Sequence, residues 1–340
     1  MASEKDNFFY SGPKFFEPFD WNNERHRVSA AASLVNGVYV SEEDYQNNRG
    51  PNEALARPWW DFFHFRLVQY LMEDNSIFGA VYEFKHPSST SHYSIHKAPR
   101  CVIAFRGTRL KLGSLQTDIR ADIRIFKNEI TVTSRFQRAV QTVHNMVTKF
   151  GALNIWLAGH SLGSAMAMLI GKNLAKSGVN LKAFLFNPPF SFNPFVSSND
   201  ENLKHFLRVK SFITAGLTLF LKDNDKISAS HDDFLAVSSW IPYLFVNPVD
   251  PFSSGYIGYF KRRKLMEKIG ARKFEELATQ NSLSNLMFGN TETEPFQVLP
   301  SAQLTINSSS SASCGMLSAH GLCQWWSKDV ILHGIEYRYK

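Results

Sequence analysis

Asn154-Ile155-Trp156-Leu157-Ala158-Gly159-His160-Ser161-Leu162-Gly163 runs a short apolar stretch straight into a serine that stands between two glycines. Residues 154–158 read as a buried strand. Beyond the serine, Ala165, Met168, Leu169 and Leu174 recur at helical spacing as far as residue 175, so Ser161 falls on the turn between strand and helix. A turn that sharp holds its central residue in strained φ/ψ and leaves no room for side chains two residues to either side, hence glycine at 159 and 163. GxSxG alone is weak evidence. The strand before it and the helix after it turn it into a nucleophile elbow with Ser161 as nucleophile, in preference to a serine in an ordinary βα turn.

A serine hydroxyl is a poor nucleophile until a base removes its proton, so the elbow requires a histidine and an orienting carboxylate. In α/β folds with such an elbow, the acid and then the histidine follow in chain order. The clearest apolar strand after the elbow that runs into a loop is Ile241 to Val246, followed by Asn247-Pro248-Val249-Asp250-Pro251, which makes Asp250 the acid. Asp223, Asp225, Asp232 and Asp233 lie in a polar stretch that reads as solvated surface, with Asp225 the alternative acid. Only His320 and His333 follow Asp250. His320 stands between Ala319 and Gly321 in a loop and is the expected base, whereas His333 lies in the alternating run VILHGIEYRY, read as a final strand. His160, next to the nucleophile on the turn, should point elsewhere and reads as structural.

Cleavage of an acyl bond also needs donors for the developing oxyanion, drawn from the backbone after the nucleophile and from a loop after an earlier strand. Leu162 N–H is the first. Residues 101–105, CVIAF, form an apolar strand ending in Arg106-Gly107-Thr108, and Thr108 offers both an N–H and a hydroxyl. Arg106 reads as a loop anchor paired with an acid such as Asp118 or Asp122.

The strand-RGT segment, GHSLG, an Asp after a later strand and a C-terminal His together resemble the class 3 lipases, the fungal-lipase-like branch of the α/β-hydrolases. VNPVD, YIGYFKRRKLMEKIG and SAHGLCQWW are similar to a soluble plant subgroup of that family, some members of which are labelled GDSL esterase/lipase without having a GDSL motif. The resemblance runs from about Trp59 to Lys340 and implies the same set: Ser161 nucleophile, Asp250 acid, His320 base, Thr108 at the oxyanion. Two positions depart from the pattern. Ser164 stands where secreted fungal lipases have glycine, and Cys323 where HGxHQWW has a second histidine.

The 340 residues, 44% hydrophobic with 29 phenylalanines, are enough to bury a large core in one α/β-hydrolase domain over residues 1–340. The expected sheet is mainly parallel and flanked by helices, with active-site loops at its C-terminal strand ends. The longest apolar run near the middle, residues 212–221, is too short to span a bilayer. The N-terminal stretch carries mixed charges in place of a signal's apolar core, and the three cysteines read as free thiols, so a cytoplasmic setting is expected. Asn307-Ser308-Ser309 fits the glycosylation pattern, which has no meaning without export.

Further elements follow from periodicity: helices over 30–38, 59–72 and 134–150, strands over 77–84 and 181–186, and a loop over 86–97. The fifty residues before strand 241–246 are too long for a bare loop, so residues 190–240 are expected to form either a cap-like insertion, with helices near 203–210 and 212–221 presenting Phe206 and Phe212 to an acyl chain, or a structural extension of the core. Residues 259–278 read as a helix carrying seven Lys and Arg side chains; with a net charge of +7, that face is either solvated or meets anionic lipid headgroups. No phosphate loop, zinc pattern or nucleic-acid motif is present. The expectation is a cofactor-free serine hydrolase of lipid or other hydrophobic acyl esters, against two alternatives, an idle lipase-like binding protein and an acyltransferase using the same acyl-enzyme.

Overall fold

The computed structural model describes residues 19–56, 59–85, 97–108, 134–190, 235–268, 299–309, 316–327 and 329–339. Among these described residues, eight strands lie side by side in chain order in one sheet. The middle five are parallel: β3 (Cys101–Phe105), β4 (Ile155–His160), β5 (Lys182–Phe186), β6 (Tyr243–Val246) and β7 (Ala302–Asn307). One edge is an antiparallel hairpin of β1 (Phe65–Glu73) and β2 (Ser76–Phe84), and the other is the antiparallel strand β8 (Leu332–Tyr337).

The parallel strands read as continuous apolar runs because both their faces are covered. Every residue of β3 and β4 is buried. Ile155 and Leu157 face the layer built from α2 (Ser134–Phe150), α3 (Leu162–Lys176) and α4 (Gly255–Lys268), whereas Trp156 and Ala158 face α1 (Glu24–Gln46) and the 3₁₀ turn Leu322–Trp326. This is the α/β-hydrolase fold. Helix α1 starts at Asn23, whose side chain accepts the backbone N–H groups of Arg25 and His26. It extends far beyond the 30–38 segment legible in the sequence.

The structure corrects two readings. Residues 59–72 are not a helix: Trp59–Phe63 is a 3₁₀ turn, and Phe65 begins a strand. The strand prevails because Asp74 (φ 47°) and Asn75 (φ 55°) both occupy the left-handed region, making a two-residue hairpin turn that pairs Glu73 with Ser76. Strand β7, over AQLTIN, went unpredicted; it completes the parallel set and supplies the edge on which β8 pairs. The proposed insertion helices, Asp225, Asp118, Asp122, Cys314 and residues 269–278 lie outside the described residues.

Candidate active site

The loops that matter leave the C-terminal ends of the parallel strands, and the first is the elbow. Ser161 caps α3 with φ 54° and ψ −125°, a conformation a side-chain-bearing residue holds only under external constraint. That constraint is packing. A Cβ on Gly163 would collide with the Phe105 carbonyl of β3, and one on Gly159 with the Gly163 carbonyl. Ser161 N–H donates to the Phe186 carbonyl of β5 at 3.0 Å. Ser164, one of the two departures from the family pattern, has a structural explanation: its buried hydroxyl lies 2.7 Å from the Gly159 carbonyl and 2.9 Å from that of Phe186, binding the ends of β4 and β5.

Asp250 follows β6 on a turn organised by Asn247, whose side chain accepts Val249 N–H at 2.9 Å and whose carbonyl accepts Asp250 N–H at 3.0 Å. His320 ends the short helix α5 (Met316–His320), where a loop was expected. The structure brings the two together: His320 Nδ1 and Asp250 Oδ2 are 3.0 Å apart, and the carboxylate is fully buried. Burial alone would raise the Asp250 pKa, but the His320 ring and hydrogen bonds from His320, Ser253 and Asn187 outweigh it and hold the carboxyl below its ordinary value. Because the carboxylate accepts, Nδ1 carries the proton, and in the neutral ring Nε2 is left with a lone pair. Nε2 is buried and has no hydrogen-bond partner among the described residues. The His320 ring packs against His160, with centroids 4.9 Å apart, and so lies beside the elbow.

Of the two expected oxyanion donors, Leu162 opens α3 and its N–H is among those a helix start leaves outside the ladder. Thr108 is exposed at the end of β3. The preceding glycine approaches Ser161 so closely that a Cβ on Gly107 would lie 2.9 Å from Ser161 Cβ. Arg106 clamps this loop as expected, through a partner the sequence did not show: it pairs with Glu42 of α1 at 3.1 Å, both side chains being buried, and its Nη1 donates to the Gly107 carbonyl at 2.7 Å. Glu42 in turn accepts Ile77 N–H at 2.6 Å.

Sequence reasoning missed Asn187, at the end of β5. It is fully buried with φ 46°, donates to Asp250 Oδ2 at 2.8 Å and to the Ala319 carbonyl at 3.1 Å, and accepts Trp325 Nε1–H at 2.9 Å. A lone asparagine between a buried strand and Pro188-Pro189 was the available signal. Ser253, donating to Asp250 Oδ2 at 2.6 Å, carried none.

Other flagged residues take structural places. Cys323 is a half-buried free thiol pushed up to about 11 by burial. Asn307 is buried and donates to Gln324 at 2.9 Å, so that side chain is committed to the fold. His333 is exposed on β8. On α4, Arg263 turns to the Leu299 carbonyl at 2.8 Å and lies over the rings of Tyr259 and Phe260, while Lys261 and Lys264 are exposed, as on a solvated face. Among the described residues no helix is long and apolar enough to cross a membrane, and no group of three or more His, Cys, Asp or Glu is arranged to hold a metal ion.

Sheet order, elbow and the buried Asp250–His320 pair define an α/β-hydrolase. The chain belongs to the class 3 lipase family. The family model "Lipase (class 3)" matches residues 102–211, which contain Thr108 and the elbow. A GDSL esterase/lipase from Arabidopsis thaliana is 45% identical over the full length of both chains. A lipase from Rhizopus microsporus var. chinensis, of known crystal structure, aligns with 49% of this chain at 16% identity and a TM-score of 0.29; the chain spans 58% of that lipase's length.

Proposed function

We propose that the protein is a serine hydrolase of lipid or other hydrophobic carboxylic esters, with Ser161 as nucleophile, His320 as base and Asp250 as the acid that orients it. The observation that carries this reading is His320 Nε2, buried beside the elbow without a partner among the described residues while Nδ1–H is fixed on Asp250. A buried acceptor left open is costly in a folded protein, and a reaction that delivers a proton to it accounts for its retention. The strained Ser161 supports the same reading, as does the esterase/lipase designation of the Arabidopsis relative.

In this mechanism Ser161 Oγ attacks the ester carbonyl as its proton passes to His320 Nε2, and the Asp250 carboxylate stabilises the imidazolium. Thr108 and Leu162 N–H hold the oxyanion. Collapse of the tetrahedral intermediate expels the alcohol, which takes the proton back from His320, and water then releases the acyl group by the same steps in reverse order. The test is fluorophosphonate labelling of the purified protein followed by a p-nitrophenyl ester chain-length series. Labelling at Ser161 with turnover that rises for longer acyl chains supports the proposal. Absence of labelling overturns it, and labelling without hydrolysis replaces it with an acyl-enzyme chemistry that uses another acceptor.

A further inference from the structure

Tyr39, on α1, stands where the oxyanion loop, the elbow and the base meet. Its hydroxyl oxygen accepts Gly107 N–H at 2.7 Å and lies 2.8 Å from His160 Nδ1, while His160 Nε2 lies 2.7 Å from the backbone carbonyl oxygen of His320. The direction of every bond in this chain can be assigned. A carbonyl oxygen only accepts, so His160 Nε2 carries the proton; a neutral imidazole then offers Nδ1 as acceptor, and the Tyr39 O–H donates to it. Burial raises the Tyr39 phenol, which therefore keeps its proton. Burial, followed by the neighbouring His320 ring, pushes His160 down to about 3. Neutral His160 thus places no positive charge beside His320 at the moment that ring must accept one. Besides Tyr39 and His320, the ionisable groups acting on this chain are Asp250 beyond β6, which raises the pKa of His160, and Arg106 after β3, which lowers that of Tyr39.

The two ends of the chain lie on different parts of the fold. Gly107 follows β3 and approaches both Ser161 Cβ and the Tyr39 hydroxyl so closely that a Cβ there would lie 2.9 Å from the first and 3.0 Å from the second. His320 belongs to a helix after β7. We propose that Tyr39 and His160 are positioning residues that hold the oxyanion loop and the base in one fixed spacing, so that both meet the nucleophile as a unit. The proposal rests on the hydrolase reading above. Its physical motive is that donor and base must both be placed to within about half an ångström when charge develops, and two independent loops would not hold that spacing.

The experiment compares Tyr39→Phe, His160→Leu, the double variant and His160→Gln on a short p-nitrophenyl ester, with active sites counted by end-point fluorophosphonate titration. Tyr39→Phe and His160→Leu should each lower kcat by about tenfold to a hundredfold with KM nearly unchanged. The double variant should be little worse than the weaker single, because one chain is broken either way. His160→Gln, whose amide can accept from Tyr39 and donate to the carbonyl, should recover most of the loss, and Tyr70→Phe, which removes a hydroxyl bonded to Ser41, should lose nothing. By NMR, His160 in the wild type should be the Nε2–H tautomer and stay neutral from pH 8 to pH 5. Unchanged kcat in folded single variants, a loss confined to KM, additive losses, or an Nδ1–H tautomer would each overturn the proposal. If the wild type itself is not labelled, the hydrolase reading fails, and the tautomer measurement still decides whether the hydrogen-bond chain exists. It decides equally if the variants do not fold.

Discussion

Replacing Asn187 with alanine should be among the most damaging single changes outside the apolar core, and the structure says by how much. Trp325 Nε1–H is fully buried and donates to Asn187, so its loss leaves a stranded donor, at a cost of about 1–3 kcal/mol. The bond to the Asp250 carboxylate is charge-assisted and contributes about 1.5–3 kcal/mol, taken at the low end here because His320, Ser253 and the Phe252 N–H still serve that carboxylate. The Ala319 carbonyl keeps a second donor in Gln324, so little is lost there. Alanine at φ 46° adds about 1 kcal/mol of backbone strain. The sum is about 3.5–5.5 kcal/mol, a large part of the roughly 5–15 kcal/mol that holds a domain together. Ser253→Ala removes a charge-assisted bond to the same carboxylate oxygen but strands no donor, so on the same low-end value it should cost only about 1.5 kcal/mol. Urea unfolding at pH 7.5 reads both values as midpoint shifts at constant m. An Asn187→Ala protein within about 1 kcal/mol of wild type, or no more damaged than Ser253→Ala, would show the network to be incidental.

Ser161→Gly should abolish fluorophosphonate labelling while raising stability by about 0.5–2 kcal/mol, since glycine accepts the elbow conformation that strains serine; a less stable variant in thermal unfolding would remove the strain argument. Asp250→Asn and His320→Ala should each lose most of kcat and add little on top of Ser161→Ala, while His333→Ala and Asp225→Asn stay near wild type; steady-state kinetics on folded variants would reassign the roles if that ranking reversed. His160 has a folded pKa near 3 against 6.5 unfolded, so its contribution to stability is fully present above about pH 6.5 and is lost as pH falls towards 3. Between pH 7.5 and 5.5 the wild type should lose about 1.4 kcal/mol more than His160→Gln, and parallel pH–stability curves would contradict the shift.

Local patterning was enough wherever burial is periodic or continuous along the chain. α2 and β3 occupy the residues their apolar spacing marked, and the strand before and the helix after Ser161 exposed the elbow because a sharp turn constrains residues two positions away. Chain order and the preceding strand point to Asp250 and His320 as candidates, and the fold brings them to 3.0 Å. Residues 65–73 misled because their apolar spacing satisfies a helix, whereas the Asp74-Asn75 turn and pairing with β2 settle on a strand. β7 carried too few apolar residues to announce itself and gains its burial from β6 and α4. Asn187 had only its place between a buried strand and two prolines, and Tyr39 and Glu42 had no local pattern at all. Their partners lie 63 residues away at Asp250, 121 at His160 and 64 at Arg106, and polar side chains become network members only when the tertiary fold removes water from them and brings the complementary atoms within reach.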